Sequence, residues 1–164
     1  MIFVSTGTLP LPFSRLVDTV IDYYQDKPNN HIVIQSGVYQ PLSLPSHITC
    51  KPFIDFKQTI QLYQKADLVI SAAGEASVFL ILKHSKNTPI FVPRVKSFHE
   101  HVDNKQLTTC SYLKKHQLAD IAIETQELIN LLMLNRQNSK RNNKKLPHKS
   151  SSLNNLVSSL HSIT

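Results

Sequence analysis

Asp67-Leu68-Val69-Ile70-Ser71-Ala72-Ala73-Gly74-Glu75-Ala76-Ser77 reads as a strand running straight into a turn of small residues. Leu68, Val69 and Ile70 follow one another with no polar alternation, the mark of a strand buried on both faces. From Ala72 to Ser77 no side chain is bulky, and a helix is predicted from Ser77 to His84. A buried strand, a tight turn and a helix make the repeating unit of an α/β sheet.

The same unit recurs on either side. Ile2-Phe3-Val4-Ser5 is a short apolar strand that ends in Thr6-Gly7-Thr8. After Pro10 and Pro12, apolar residues return at Phe13, Leu16, Val17, Val20, Ile21 and Tyr24, a helical spacing that Pro28-Asn29-Asn30 ends. His31 to Gln35 is a second strand, closed by Ser36-Gly37, and Ile48-Thr49-Cys50 a short third. Phe56 to Lys65 suits a helix. Downstream, Pro89 to Val92 reads as a strand stopped by Pro93, and His99 to His116 as a helix. Ile121 to Ile123 gives a last strand, and Thr125 an N-cap for a helix over Gln126 to Leu134. Strands and helices in this order predict a mostly parallel, doubly wound, Rossmann-like α/β sheet with helices on both faces.

Charge divides the chain. Six basic residues and no acid lie between Asn135 and Ser152, so this stretch supplies six of the seven net positive charges. A solvated linker and a segment attracted to anionic lipid or nucleic acid both fit it. Leu153, Leu156, Val157, Leu160 and Ile163 then recur at helical spacing, predicting a short amphipathic helix that needs a surface to dock on. The expected organisation is a domain over 1–134, a basic flexible linker over 135–152 and a docking helix over 153–164. The nearly neutral body and the lack of a nucleic-acid motif argue against specific nucleic-acid binding. No apolar run approaches the ~20 residues of a membrane span. The first residues lack the basic and apolar regions of a signal peptide, so a cytoplasmic chain is expected. Cys50 and Cys110 are too few and too isolated for a disulfide framework or a zinc site, and read as ordinary small residues.

Ligands of open α/β sheets bind beyond the carboxyl ends of the strands, and three segments fall there. Gly7 lets the backbone approach a ligand, and Thr8 adds a hydroxyl; an ordinary turn explains them equally. Ser71, Gly74, Glu75 and Ser77 surround a helix start whose amides and dipole attract a diphosphate. A tight packing turn is the alternative. Phe98 to Gln106 gathers Glu100, Asp103, Asn104 and Gln106, polar groups able to pair with sugar hydroxyls. His99 or His101 could serve as a general base. A polar helix start with Glu100 and Asp103 facing its dipole is the other account.

Together the segments resemble the C-terminal domain of family 28 GT-B glycosyltransferases, above all the small stand-alone type, the bacterial PssE-like subunit and its eukaryotic counterpart. The resemblance covers roughly residues 1 to 130. It is carried by Ile2 to Thr8, Phe13-Ser14-Arg15-Leu16-Val17, Gln35-Ser36-Gly37 with Tyr39 and Pro41, Ala66 to Ser71, and Val92-Pro93-Arg94 with Glu100-His101-Val102-Asp103-Asn104 and Gln106. It implies a C-terminal half of a GT-B fold that binds a UDP-sugar through Gly7, Thr8, Ser71, Gly74, Glu75, Ser77, Glu100, Asp103, Asn104 and Gln106. The general base stays unassigned, with His101, Asp103 and a group on the partner as the candidates. The resemblance also implies a membrane-anchored PssD-like subunit, or its eukaryotic counterpart, as partner, and a lipid-diphosphate-linked acceptor at the cytoplasmic membrane face. In exopolysaccharide or capsule synthesis such a pair transfers one sugar. No metal or cofactor is expected, and no Asp-x-Asp motif is present.

Three positions depart from the family pattern. Ala72 replaces a histidine, Ala76 a glycine and Leu80 a glutamate that holds the ribose in relatives. Each lost hydrogen-bonding group costs about 1–3 kcal/mol of binding. The sequence therefore supports an active donor-binding subunit, with a non-catalytic member that stabilises or regulates a membrane partner as the alternative.

Overall fold

The computed structural model of the protein describes residues 1–138. The docking helix expected over 153–164, and the expected linker beyond 138, lie outside the described residues.

Six parallel strands form one sheet: β1 (Ile2–Ser5), β2 (Ile32–Gln35), β3 (Ile48–Lys51), β4 (Leu68–Ala72), β5 (Ile90–Val92) and β6 (Asp120–Ile121). Five helices accompany them: α1 (Ser14–Tyr24), α2 (Phe56–Lys65), α3 (Glu75–His84), α4 (Lys105–Lys115) and α5 (Thr125–Asn138). The spatial order β3-β2-β1-β4-β5-β6 is that of a doubly wound Rossmann sheet. The chain winds outward from β1 to β3, crosses back through α2, and resumes at β4 beside β1. That places the topological switch point between β1 and β4, which pair Ile2 with Leu68 through Ser5 with Ser71.

Side chains alternate across the strands, so the apolar runs feed two cores. Ile2, Val4, Ile32, Ile34, Leu68, Ile70, Ile90 and Val92 pack with Leu16, Val17 and Val20 of α1 and Leu128 and Leu132 of α5. Phe3, Val69 and Phe91 point the other way, onto Tyr63 of α2, Val78 and Ile81 of α3, and Cys110 and Leu113 of α4. Burial pushes the thiol of Cys110 up to about 12, so it sits there as a small apolar group. No helix among the described residues is long and apolar enough to cross a membrane.

Most element boundaries fall within two residues of their expected places. Two helices differ by more, and the first is the one expected from His99, which starts only at Lys105. Instead, Lys96–Phe98 form a single 3-10 turn, and His99 takes a left-handed φ of 58°. The carboxylate of Glu100 is drawn into the protein, and the Oδ1 of Asp103 accepts the N–H of Lys105 at the true helix start. At its other end the chain keeps its helix longer than expected: α5 includes Thr125 and runs on to Asn138. Its start is fastened by Glu127, whose Oε2 accepts the N–H groups of Ile123 and Glu124. These bonds hold the Glu127 carboxyl below its ordinary value.

Candidate functional site

Because every strand is parallel, the loops after β1, β4 and β5 emerge on one edge, and the first two flank the switch point. The loop after β1 turns at Gly7, whose φ is +76°, a conformation β-branched and bulky residues avoid. A Cβ at Gly7 would meet nothing within 4 Å, so the turn is open on its outer side. Its shape is held from β2: the Nε2 of Gln35 donates to the Gly7 carbonyl at 3.2 Å, and the Thr6 N–H and hydroxyl both donate to the Gln35 carbonyl. Thr8 is exposed beside it.

The loop after β4 is very short. Gly74 is the residue before α3, and a Cβ there would also meet open space. No side chain caps α3, so its first amides face outward with the positive end of the helix dipole. Glu75 is exposed and Ser77 half-buried within the first turn.

The loop after β5 is the most tightly built. Gln106, in the first turn of α4, accepts the Ala73 N–H at 3.2 Å and the Arg94 N–H at 2.9 Å on one carbonyl oxygen. It thereby sets the spacing between the loops after β4 and β5. Arg94 is 1% exposed and spreads its guanidinium over backbone carbonyls. One terminal nitrogen donates to Leu11, Pro12 and Glu100, and the other to Thr6. The Phe13 ring lies 4.5 Å from its centre. Burial pushes this guanidinium down to about 10 while Glu100 acts in the other direction, so it remains charged at neutral pH. Around the next turn, Glu100 receives Arg15 in a two-pronged pair: Nε to Oε1 and NH2 to Oε2, each 2.8 Å. Arg15 also donates to the Pro93 and Ile123 carbonyls and stacks under Phe98. His101 sits with its Nδ1 3.0 Å from Asp103 Oδ1 and 3.2 Å from the Asp103 N–H. Asn104 accepts the Lys96 N–H and remains exposed.

The residues singled out from sequence thus fall into two groups. Gly7, Thr8, Gly74, Glu75, Ser77, His101, Asp103 and Asn104 all reach the loop edge with some exposure. Three others are engaged within the fold. Ser71 is 0% exposed in mid-strand, and its hydroxyl donates to the Ala72 carbonyl, so it cannot touch a ligand at the edge. Glu100 spends both carboxylate oxygens on Arg15 and the Val95 N–H. Gln106 spends its carbonyl oxygen on two backbone amides. Arg15, Gln35 and Arg94 were not singled out as site residues, yet they hold the loops. A signal existed for Arg94, a lone charge between Phe91-Val92-Pro93 and Val95.

The chain matches the model of the glycosyltransferase family 28 C-terminal domain over residues 1–160. It belongs to that family. No protein of curated function matches it significantly. Among solved structures it is similar to the glycotransferase of kitacinnamycin, with a TM-score of 0.61, 15% identity and 82% of this chain covered. It is also similar to MurG of Acinetobacter baumannii, with a TM-score of 0.57, 21% identity and 85% covered. It spans 34% and 41% of those two chains respectively. At such identities the likeness is one of fold, the Rossmann-like C-terminal half of a GT-B enzyme. Within this family 28 domain, two of the three altered positions behave as packing residues: Ala72 is buried in the core under α1 and α5, and Leu80 is half-buried on the α2–α4 side of the sheet, while Ala76 is exposed.

The inward role of Gln106 is open to a direct check. Gln106→Leu leaves the Ala73 and Arg94 amides without their acceptor and is expected to cost about 1–3 kcal/mol. Gln106→Glu keeps the acceptor and recovers most of that loss. Urea denaturation reads both. A Leu variant as stable as the parent means Gln106 does not clamp the loops.

Proposed function

We propose that this family 28 domain is the donor-binding, catalytic half of a two-protein glycosyltransferase that takes a sugar from a UDP-sugar. The observation that carries the reading is the pairing of two open backbone features across the switch point. The Gly7 turn stands on one side and the uncapped start of α3 at Gly74 on the other. Outward amides and a helix dipole in that place suit a diphosphate and would stabilise the charge left on UDP. Asp103, Asn104 and His101, on the loop after β5, are the groups left to meet the sugar, with His101 or Asp103 as base. The domain spans 34% and 41% of the two solved GT-B chains, and the acceptor-binding half that completes such a fold is here assigned to a second subunit. In this reading a membrane-anchored PssD-like subunit supplies it, brings the domain to the inner membrane face, and presents a lipid-diphosphate-linked acceptor for exopolysaccharide or capsule synthesis. No metal is needed for this direct transfer.

A second reading has its own support. Ala72 and Leu80 give the pocket no imidazole and no ribose carboxylate, and Glu100 is already consumed by Arg15. A non-catalytic subunit that stabilises its partner is built in the same way. Calorimetric titration with UDP, UDP-glucose, UDP-galactose and UDP-N-acetylglucosamine, with and without the co-expressed partner, separates the two. Binding of one sugar nucleotide above UDP alone is the expected result. Intact partner binding with silence toward all four donors selects the non-catalytic subunit.

A further inference from the structure

On the same edge as the donor loops, and joined to the Gly7 turn through Gln35, the corner where β3 passes into α2 has an unusual surface. Lys51-Pro52-Phe53-Ile54-Asp55-Phe56-Lys57 carries two phenylalanines that are 68% and 67% exposed, a large apolar area to leave in water. The Gly37 N–H donates to the Pro52 carbonyl and so brings the loop of exposed Val38 alongside. Neither ring lines the groove of about 330 Å³ that runs between α2 and the β2–β3 face, from Lys51 and Ile54 to Gln61 and Lys65. Among the described residues, none of the polar side chains lining it (His31, Thr49, Lys51, Gln58, Gln61 and Lys65) has a hydrogen-bond or ion-pair partner.

The charge around this groove is one-sided. Lys51, Lys57 and Lys65 are exposed, and Lys86 reaches the Lys65 carbonyl at 3.5 Å. Two carboxylates lie nearby, and of these Asp67 alone is neutralised by a cation. Asp55 accepts the Gln58 N–H as the cap of α2, and Asp67 pairs with the terminal ammonium of Met1 at 2.7 Å. Exposed aromatics rimmed by unpaired lysines are the chemistry of a membrane interface: rings settle at headgroup depth while the ammonium groups meet lipid phosphates. A protein partner would cover the rings equally well, but four lysines against the single unneutralised carboxylate of Asp55 leave a net positive charge that favours an anionic surface.

We infer that the β3–α2 corner is a docking surface for anionic phospholipid, with Phe53 and Phe56 entering the interface and Lys51, Lys57 and Lys65 facing the headgroups. This contact belongs to the domain itself. It is independent of any partner subunit and of the donor reading, since no sugar nucleotide takes part.

Co-sedimentation of the full chain with phosphatidylcholine vesicles, with and without phosphatidylglycerol, tests it. The parent is expected to bind only the vesicles containing phosphatidylglycerol. Phe53→Ser/Phe56→Ser should weaken that binding at least tenfold. Lys51→Gln/Lys57→Gln/Lys65→Gln should weaken it about fivefold per lysine removed. All five side chains are exposed, and unchanged urea midpoints would show that the variants fold. The basic stretch over 135–152 is present in every variant, so parental binding by both would assign the attraction to that stretch and overturn the inference. No binding to anionic vesicles, or competition by millimolar inorganic phosphate, would overturn it too.

Discussion

Replacing Arg94 with methionine is expected to remove about 3–5 kcal/mol of stability. The guanidinium donates to four carbonyls drawn from two separate loops, those of Thr6, Leu11, Pro12 and Glu100. Methionine fills most of the space and keeps the contact with Phe13, but it offers no donor. The four oxygens then remain inside without their partner, and unmade buried bonds cost more than made ones gain. Arg94→Lys retains the charge as a compact ammonium with three donors, which cannot span the same fan, so it should recover less than half of the loss. Urea midpoints measure both, and a fall in melting temperature of about 10 °C accompanies the methionine change. The loops of Gly7 and of Val95 to Glu100 lose their common anchor in this variant. Sugar-nucleotide affinity should therefore fall with stability, although Arg94 itself touches no ligand. A variant within 1 kcal/mol of the parent would mean that the loops are held by other contacts.

The fold was legible because its determinants are local. Leu68-Val69-Ile70 can be buried only as a strand with both faces covered, and Phe13, Leu16, Val17 and Val20 can share a core only as a helix. The open parts of the site were legible for the same reason. A glycine after a strand, or small residues before a helix, announce their backbone geometry within a few positions. Side-chain direction is different. Glu100 and Asp103 stand three residues apart in one polar run, and both suit a ligand. What separates them is Arg15, 85 residues earlier, which captures Glu100 and leaves Asp103 at the edge. The same capture bends the chain at His99 and delays α4 to Lys105, which propensity alone did not foresee. Ser71 was misplaced for a simpler reason. The strand runs two residues further than its apolar stretch, to Ala72, and that extension keeps the serine in the sheet.

The pair of Arg15 and Glu100 offers the sharpest test of which polar residues serve the fold and which serve the ligand. The Glu100 side chain is 8% exposed and that of Arg15 16%, so each charge is largely removed from water and depends on the other. Glu100→Ala strands the Arg15 guanidinium among Phe13, Phe98 and two carbonyls, and also frees the Val95 N–H. Breaking such a pair from one side is expected to cost about 3 kcal/mol. Arg15→Met does the same from the other side, leaving Glu100 with one backbone amide and a buried charge. The double variant Arg15→Met/Glu100→Leu removes both charges and replaces them with apolar volume. It should therefore be more stable than either single variant, with a coupling of about 2 kcal/mol in a double-mutant cycle. Donor titration of that double variant then decides the role of Glu100. If the carboxylate only holds the loop, restoring stability restores most sugar-nucleotide binding, because Asp103 and Asn104 remain where they were. If Glu100 instead leaves Arg15 to meet the sugar, the double variant is stable and does not bind. That outcome would return Glu100 to the ligand-facing group, and it would make the two-pronged pair the resting state of a loop that opens when donor arrives.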